Sequence, residues 1–277
     1  MKTFNQSPLP FQGQKRNFVK SFKMALKDYP PDATYIDIFG GSGLLAHTVK
    51  SIYPMATVVY NDYDEFTERL KAIPRTNRLI SDLREILGDC DRKLKITGEY
   101  KERVIELLID ADKEGFNDWI TISSNLLFSM NYATSLGGII KETMYNKVRL
   151  SNYDATGYLD GVKVVGMDYK QLYEQYKDKP GVVFLVDPPY LSTDTATYGS
   201  NGYWKLRDYL DVLQVLHDHN YFYFTSNKSQ IVELCEWIST VSSIANPFEN
   251  AQKTTVNVST SHNSGYIDFM YHYKRYE

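Results

Sequence analysis

The chain has 277 residues, enough for one large core or a core plus a small second lobe. Its formal net charge of −3 and pI near 6.0 exclude a surface coated in cations, although a local basic patch suffices to contact phosphates. No apolar run reaches the ~18 residues of a membrane span, residues 1–7 lack a signal-peptide shape, and two distant cysteines without metal spacing (Cys90, Cys235) fit reduced thiols; a cytoplasmic protein with no membrane partner is expected.

In chain order, Pro10-Phe11-Gln12-Gly13-Gln14-Lys15-Arg16 opens a basic helical segment, Asn17 to Lys27. An apolar strand, Thr34–Ile38, then runs through Asp37 into Phe39-Gly40-Gly41-Ser42-Gly43. The glycines permit a tight turn and close approach of a ligand to the backbone. A helix follows, Leu44 to Ile52, whose first N–H groups suit a polar or anionic ligand. The next strand, Ala56–Tyr60, ends at Asn61-Asp62, where an acid suits the hydroxyls of a ribose. Gly41-Ser42-Gly43-Leu44-Leu45-Ala46 also fits the dinucleotide fingerprint, with Asp62 about 20 residues on. A nicotinamide-dependent oxidoreductase therefore stays open at this point. Asp37 favours another ligand, since a carboxylate there can hold the ammonium of an amino-acid moiety.

About a hundred residues separate Asp62 from the next strand, too many for a loop in a compact domain. Helical spacing of apolar residues covers Ile80 to Leu87 and Val104 to Ile109, and Phe116 to Met130 also reads as helix. The expected organisation is a catalytic domain formed by residues 1–66 and 160–277, with a mostly helical inserted lobe over 67–159. Cations cluster from Arg69 to Arg103, and Arg75 and Arg78 are candidates to grip phosphates; a solvated, ion-paired helix face is the competing reading. Asn131 to Gly161 is polar and aromatic. Asn131, Lys147 and Arg149 there are candidates for reading base edges or backbone.

After the strand Val162–Val165 comes a continuous apolar run, Val182–Val186, which reads as a strand covered on both faces. It delivers Asp187-Pro188-Pro189-Tyr190 to the edge where open α/β sheets bind ligands. Such a group suits methylation of an exocyclic amine on a flat base. The amine lone pair is delocalised into the ring. Two acceptors, the Asp187 carboxylate and the Pro188 carbonyl, favour a pyramidal nitrogen and stabilise the charge developing on it. Proline holds that carbonyl's direction, and Tyr190 can stack on the base for about 1–3 kcal/mol. A plain strand-ending turn is the competing reading. The polar loop 191–203 follows, with Thr195 and Tyr198 as candidate nucleic-acid contacts. His217 and His219, two apart on an expected helix, face different ways, and no metal site is expected. Strands are expected at Tyr221–Thr225, Val241–Ile244, Thr255–Val258 and Ile267–Tyr273, and the whole reads as an α/β doubly wound sheet.

Taken together, Asp37-x-Phe39-x-Gly41-x-Gly43, Asp62, Val164-Val165-Gly166-Met167-Asp168-Tyr169, Asp187-Pro188-Pro189-Tyr190 and Phe222-Tyr223-Phe224-Thr225-Ser226-Asn227 resemble the Dam-type DNA adenine-N6 methyltransferases. The order, cofactor turn before catalytic tetrapeptide, is that family's α arrangement. The resemblance implies a Rossmann-like fold with a seven-stranded, mainly parallel sheet and a helical inserted DNA-recognition lobe. It implies S-adenosylmethionine as methyl donor, leaving as S-adenosylhomocysteine. Phe39, Gly40, Gly41 and Gly43 would line it, with Asp37, Asp62 and Asp168 as tethers. Phe11 and Lys15 would close over its methionine end, although Gly13-Gln14-Lys15 departs from the usual Gly-Gly-Lys. It also implies duplex DNA as partner, a flipped adenine, and a cognate restriction endonuclease as an optional companion. A relative acting on RNA or another planar amine stays open.

Overall fold

The computed structural model describes residues 2–128, 131–189, 204–241, 245–261 and 264–275. Seven strands are present: β1 (Thr34–Asp37), β2 (Thr57–Asn61), β3 (Lys163–Val165), β4 (Val182–Val186), β5 (Asn220–Ser226), β6 (Gln252–Ser261) and β7 (Ser264–Tyr273). They form one sheet in the order β3-β2-β1-β4-β5-β7-β6. The first five run parallel, while β7 lies antiparallel to β5 and β6 antiparallel to β7. Chain order reverses between β1 and β4, which makes their carboxyl ends the switch point of the sheet.

The period of two along each strand explains why these segments pair. Ile36, Phe184, Val186, Tyr221 and Tyr223 point to one face, where they pack with Leu172, Tyr209, Val212, Ile231 and Cys235. Tyr35, Val183, Leu185, Phe222 and Phe224 point to the other, against Phe18, Phe22, Leu26, Leu45 and Val49. Helices α1 (Val19–Leu26) and α2 (Leu44–Ile52) thus cover one face. Helices α8 (Tyr169–Tyr176), α9 (Leu206–Leu213) and α10 (Ile231–Val241) cover the other. Burial on both faces is what the unbroken apolar run in β4 requires. Each fully buried aromatic contributes about 1.5–3 kcal/mol. Phe222 is typical, with Phe22 edge-on at 4.9 Å and His272 stacked at 5.3 Å.

The chain divides into two compact units. The first comprises Met1–Ser7, Gly13–Asp64 and Gly157–Glu277 and holds the sheet. The second comprises Pro8–Gln12 and Glu65–Thr156 and holds α3 (Phe66–Lys71), α4 (Ile73–Ile86), α5 (Gly98–Lys113), α6 (Trp119–Leu126) and α7 (Leu136–Lys141). Leu79, Ile80, Leu83, Val104, Leu108, Ile122, Leu126 and Ile139 are buried in it. The sequence did not announce that Pro8–Gln12 belongs there. The Arg69 guanidinium donates to Pro10 O at 2.8 Å, and the Phe11 ring stands edge-on to Phe66 at 5.6 Å. Asp118 caps α6 by accepting from Thr121 N and pairs with Arg69 at 2.9 Å.

Two expectations need correction. Val241 ends α10 instead of opening a strand, because the apolar spacing from Ile231 continues at helical period through it; residues 242–244 lie outside the described ones. His217 and His219 follow α9 in a turn, and the His219 ring is fixed by Lys177 O at 2.9 Å. Among the described residues no helix is long and apolar enough to cross a membrane. No cluster of metal-ligating side chains occurs among them.

Candidate active site

The site is assembled at the carboxyl edge of the parallel strands, within the first unit. Asp37 ends β1 opposite Leu185 of β4, so Asp187 lies two residues past that register. The Asp37 carboxylate is buried and accepts from Ala46 N at 3.2 Å. Burial, and then the nearby Asp187, hold its pKa well above the usual carboxylate range. The Asp187 carboxyl is also raised by burial, opposed by the Lys15 ammonium at 2.6 Å. Its side chain remains 24% exposed, so its desolvation is partial. Lys15 is 7% exposed and also donates to Gly13 O at 2.7 Å. Two acids and one buried lysine therefore face one another at the switch point.

The glycine turn has the backbone that the residues predict. Gly40, Gly41 and Gly43 take φ of +36°, +53° and +72°. A side chain at Gly40 would strike Asn61 O and stand 2.5 Å from the Tyr60 ring. Gly43 caps α2 with no side-chain partner, leaving the helix start to backbone donors. The Tyr60 hydroxyl lies 2.8 Å from Gly41 O and 2.9 Å from the Asp62 carboxylate, which is buried at the end of β2. Tyr158 donates to Ser42 O at 2.9 Å, and His47 bonds Tyr158 O at 2.6 Å. The turn is thus held from two sides by phenols that burial keeps protonated.

Asp168 is exposed and caps α8 through Lys170 N at 2.8 Å, with one carboxylate oxygen in that bond. Phe39 packs with Tyr169 at 5.1 Å and Trp204 at 5.7 Å. Asp37, the glycine turn, Asp62, Asp168, Lys15 and Asp187-Pro188-Pro189 all belong to this one unit. Phe11 lies in the other. Tyr190, Thr195 and Tyr198 lie outside the described residues.

The candidates in the second unit differ among themselves. Arg78, Asn131 and Arg149 are exposed. Asn131 approaches Glu142 at 3.5 Å, and Arg149 lies over the Tyr153 ring. Arg75 binds Ala111 O, Glu114 O and Asn117, which ties α4 to the end of α5. Lys147 donates to Leu127 O at 3.1 Å. Bonds of this kind explain Arg75 and Lys147 as braces of their own lobe.

The sequence reading missed Asn61 and Tyr158. Asn61 was visible only as the neighbour of Asp62. Nothing marked Tyr158, 116 residues from the turn it supports.

A protein of Haemophilus influenzae named "Putative methyltransferase" is 36% identical to this chain over 280 residues, covering 97% of this chain and 92% of that protein. The chain is a methyltransferase. No family model matches it. The seven-stranded, mainly parallel sheet is the Rossmann-like fold expected of a methyltransferase. Membership in this family supports methyl transfer over the oxidoreductase reading of the glycine turn.

Proposed function

We propose that this methyltransferase moves a methyl group from S-adenosylmethionine to N6 of an adenine in duplex DNA. The observation that carries the proposal is the position of Asp187-Pro188-Pro189. It follows the central strand β4 at the switch point, with a partly exposed carboxylate held by a cation.

The residues fit a bound S-adenosylmethionine. The positive φ values at Gly40, Gly41 and Gly43 make a tight turn, and the clash that a Cβ at Gly40 would make with Asn61 O and the Tyr60 ring shows that this turn packs directly on the end of β2. Asp37 would face the ammonium of the amino-acid moiety, and the ammonium's charge would offset the burial that now raises its pKa. Asp62 would accept from the ribose hydroxyls, and the outer oxygen of Asp168 from the adenine amine. When bound, the sulfonium supplies an electrophilic methyl group.

The acceptor must be brought to Asp187. A base inside a duplex cannot present its amine, so it would leave the stack. Its N–H donors would take the place of Lys15 on the Asp187 carboxylate and bond the Pro188 carbonyl. That geometry stabilises positive charge on the nitrogen as the methyl is accepted; the nitrogen then loses one proton to solvent, and S-adenosylhomocysteine departs. Tyr190 would stack on the base. The helical second unit, with Arg78, Asn131 and Arg149 exposed, would supply contacts to the nucleic acid. Thr195 and Tyr198 would add to them.

The test is label transfer from tritiated S-adenosylmethionine to mixed-sequence duplex DNA, to structured RNA and to no nucleic acid. Label recovered from DNA as N6-methyladenine supports the proposal. Label in RNA alone keeps the chemistry and changes the substrate. Asp187→Ala should lose transfer while S-adenosylhomocysteine still binds, and full transfer by that variant would refute the role of Asp187.

A further inference from the structure

We propose that Asn61 is a positioning residue, a strut that fixes the width of the adenosine end of the cofactor cleft. This rests on the S-adenosylmethionine reading above. Asn61 is the last residue of β2 and is 1% exposed. Its amide nitrogen donates to Ile38 O at 3.0 Å and to Met167 O at 2.9 Å. Its amide oxygen accepts from Met167 N at 3.0 Å.

These partners lie beyond the ordered ladders. The β2–β3 pairing ends at Asn61 opposite Val165, with one further bond from Asp62 N to Val165 O at 2.7 Å. Past that point the side chain of Asn61 replaces the backbone ladder. It joins the segment after β1 to the segment after β3. Each joined segment leads directly to a group that the proposed function assigns to the cofactor. Ile38 precedes Phe39 and the glycine turn, Met167 precedes Asp168, and Asn61 itself precedes Asp62. One planar amide therefore sets the spacing of three ligand-facing groups before any ligand arrives. The backbone of Asn61 takes part as well, since its carbonyl is what a side chain at Gly40 would strike.

Asn61→Asp keeps the size and the acceptor but replaces both donors by an oxygen facing two carbonyls. Burial makes that loss costly. Asn61→Ser keeps one donor and serves as the milder variant. Two probes separate the ends of the cleft. S-adenosylhomocysteine carries the amino-acid group, and 5′-methylthioadenosine lacks it. By calorimetry, Asn61→Asp should raise Kd for both probes by about tenfold or more, with Asn61→Ser intermediate. Asp37→Asn should weaken S-adenosylhomocysteine and leave 5′-methylthioadenosine within twofold of wild type.

A merely structural role gives another result. Asn61→Asp would melt at a lower temperature, yet its folded molecules would bind both probes within twofold of wild type, and the proposal would be overturned. If neither variant folds, hydrogen exchange on the ligand-free wild type decides. Protection of Met167 N–H, equal with and without S-adenosylhomocysteine, supports a preformed strut, and rapid exchange without ligand refutes it. Wild type that binds neither probe would overturn the cofactor reading itself, whereas wild type that binds both while Asn61→Asp is unaffected overturns the strut alone.

Discussion

Gly40→Ala offers a direct test of how the turn is built. At φ +36° an alanine carries left-handed strain, about 1–2 kcal/mol. Its Cβ would also stand inside contact distance of Asn61 O, with the Tyr60 ring at 2.5 Å. Neither neighbour can yield cheaply. Asn61 O is backbone at the end of an interior strand, β2, and Tyr60 is fully buried. Overpacking of that kind costs about 1–3 kcal/mol. The total is about 2–5 kcal/mol, which for a chain of this size lowers Tm by roughly 5–15 °C. Gly181→Ala is the control, because Gly181 has φ +66° but no atom within 4 Å of an added Cβ. It should show the strain alone, a loss of about 1–2 kcal/mol. Differential scanning calorimetry on both variants and wild type gives the comparison. Equal melting of the two variants would refute the close approach at Gly40. Gly40→Ala should also lose S-adenosylhomocysteine binding at temperatures where it remains folded.

Three further outcomes are expected. Asp37 folds with its pKa raised by burial and by Asp187, so the folded state holds this proton more tightly than the unfolded chain. Its contribution to stability is full below the ordinary Asp value and is lost as pH rises through the folded value. Asp37→Asn should therefore melt higher than wild type near neutral pH, with the gap closing toward pH ~4, while it loses affinity for S-adenosylhomocysteine; a gap independent of pH would contradict the burial argument. His47 has its pKa lowered by burial, while Phe4 N–H donates to its Nε2 at 2.9 Å. This contribution is present above the ordinary histidine value near 6.5 and is lost as pH falls through the folded value. Hydrogen exchange at Phe4, corrected for its intrinsic rate, should accelerate on acidification in wild type. Arg69→Met leaves Asp118 buried without its ion pair, which should cost about 3–5 kcal/mol in urea unfolding. Adding Asp118→Leu should recover part of that loss, and strict additivity would show that the pair is not coupled.

The sheet was legible because its signals are local. Val182–Val186 could be read as a strand covered on both faces from five apolar residues, and all five are buried. Leu44–Ile52 could be read as a helix because glycines stop the strand before it and the apolar spacing changes after them. The end of the chain was harder. The apolar residues from Ile231 to Val241 fit a helix that runs into the segment expected as strand, and a short apolar run does not distinguish the two. In the inserted segment the cations were visible, but their uses were not. Arg75 and Arg78 lie on the same helix, yet only Arg75 meets the carbonyls closing α5, and that depends on how α4 and α5 pack.

By itself the sequence determined the chemistry available at each strand end: an acid before a glycine turn, an acid after the second strand, and Asp187-Pro188-Pro189 after the fourth. Those assignments follow from residue type and short-range spacing, which a linear chain carries. Only the tertiary structure decided that Lys15 rests on Asp187 and that Tyr158 holds the turn at Ser42. It also decided that Asn61 joins the segments after β1 and β3. These contacts span from 23 to 172 residues of sequence in the cases of Asn61–Ile38 and Lys15–Asp187 (187 − 15 = 172). They exist because the parallel order β3-β2-β1-β4 brings distant strand ends to one edge, where a single hydrogen bond or ion pair selects its partner by distance and angle.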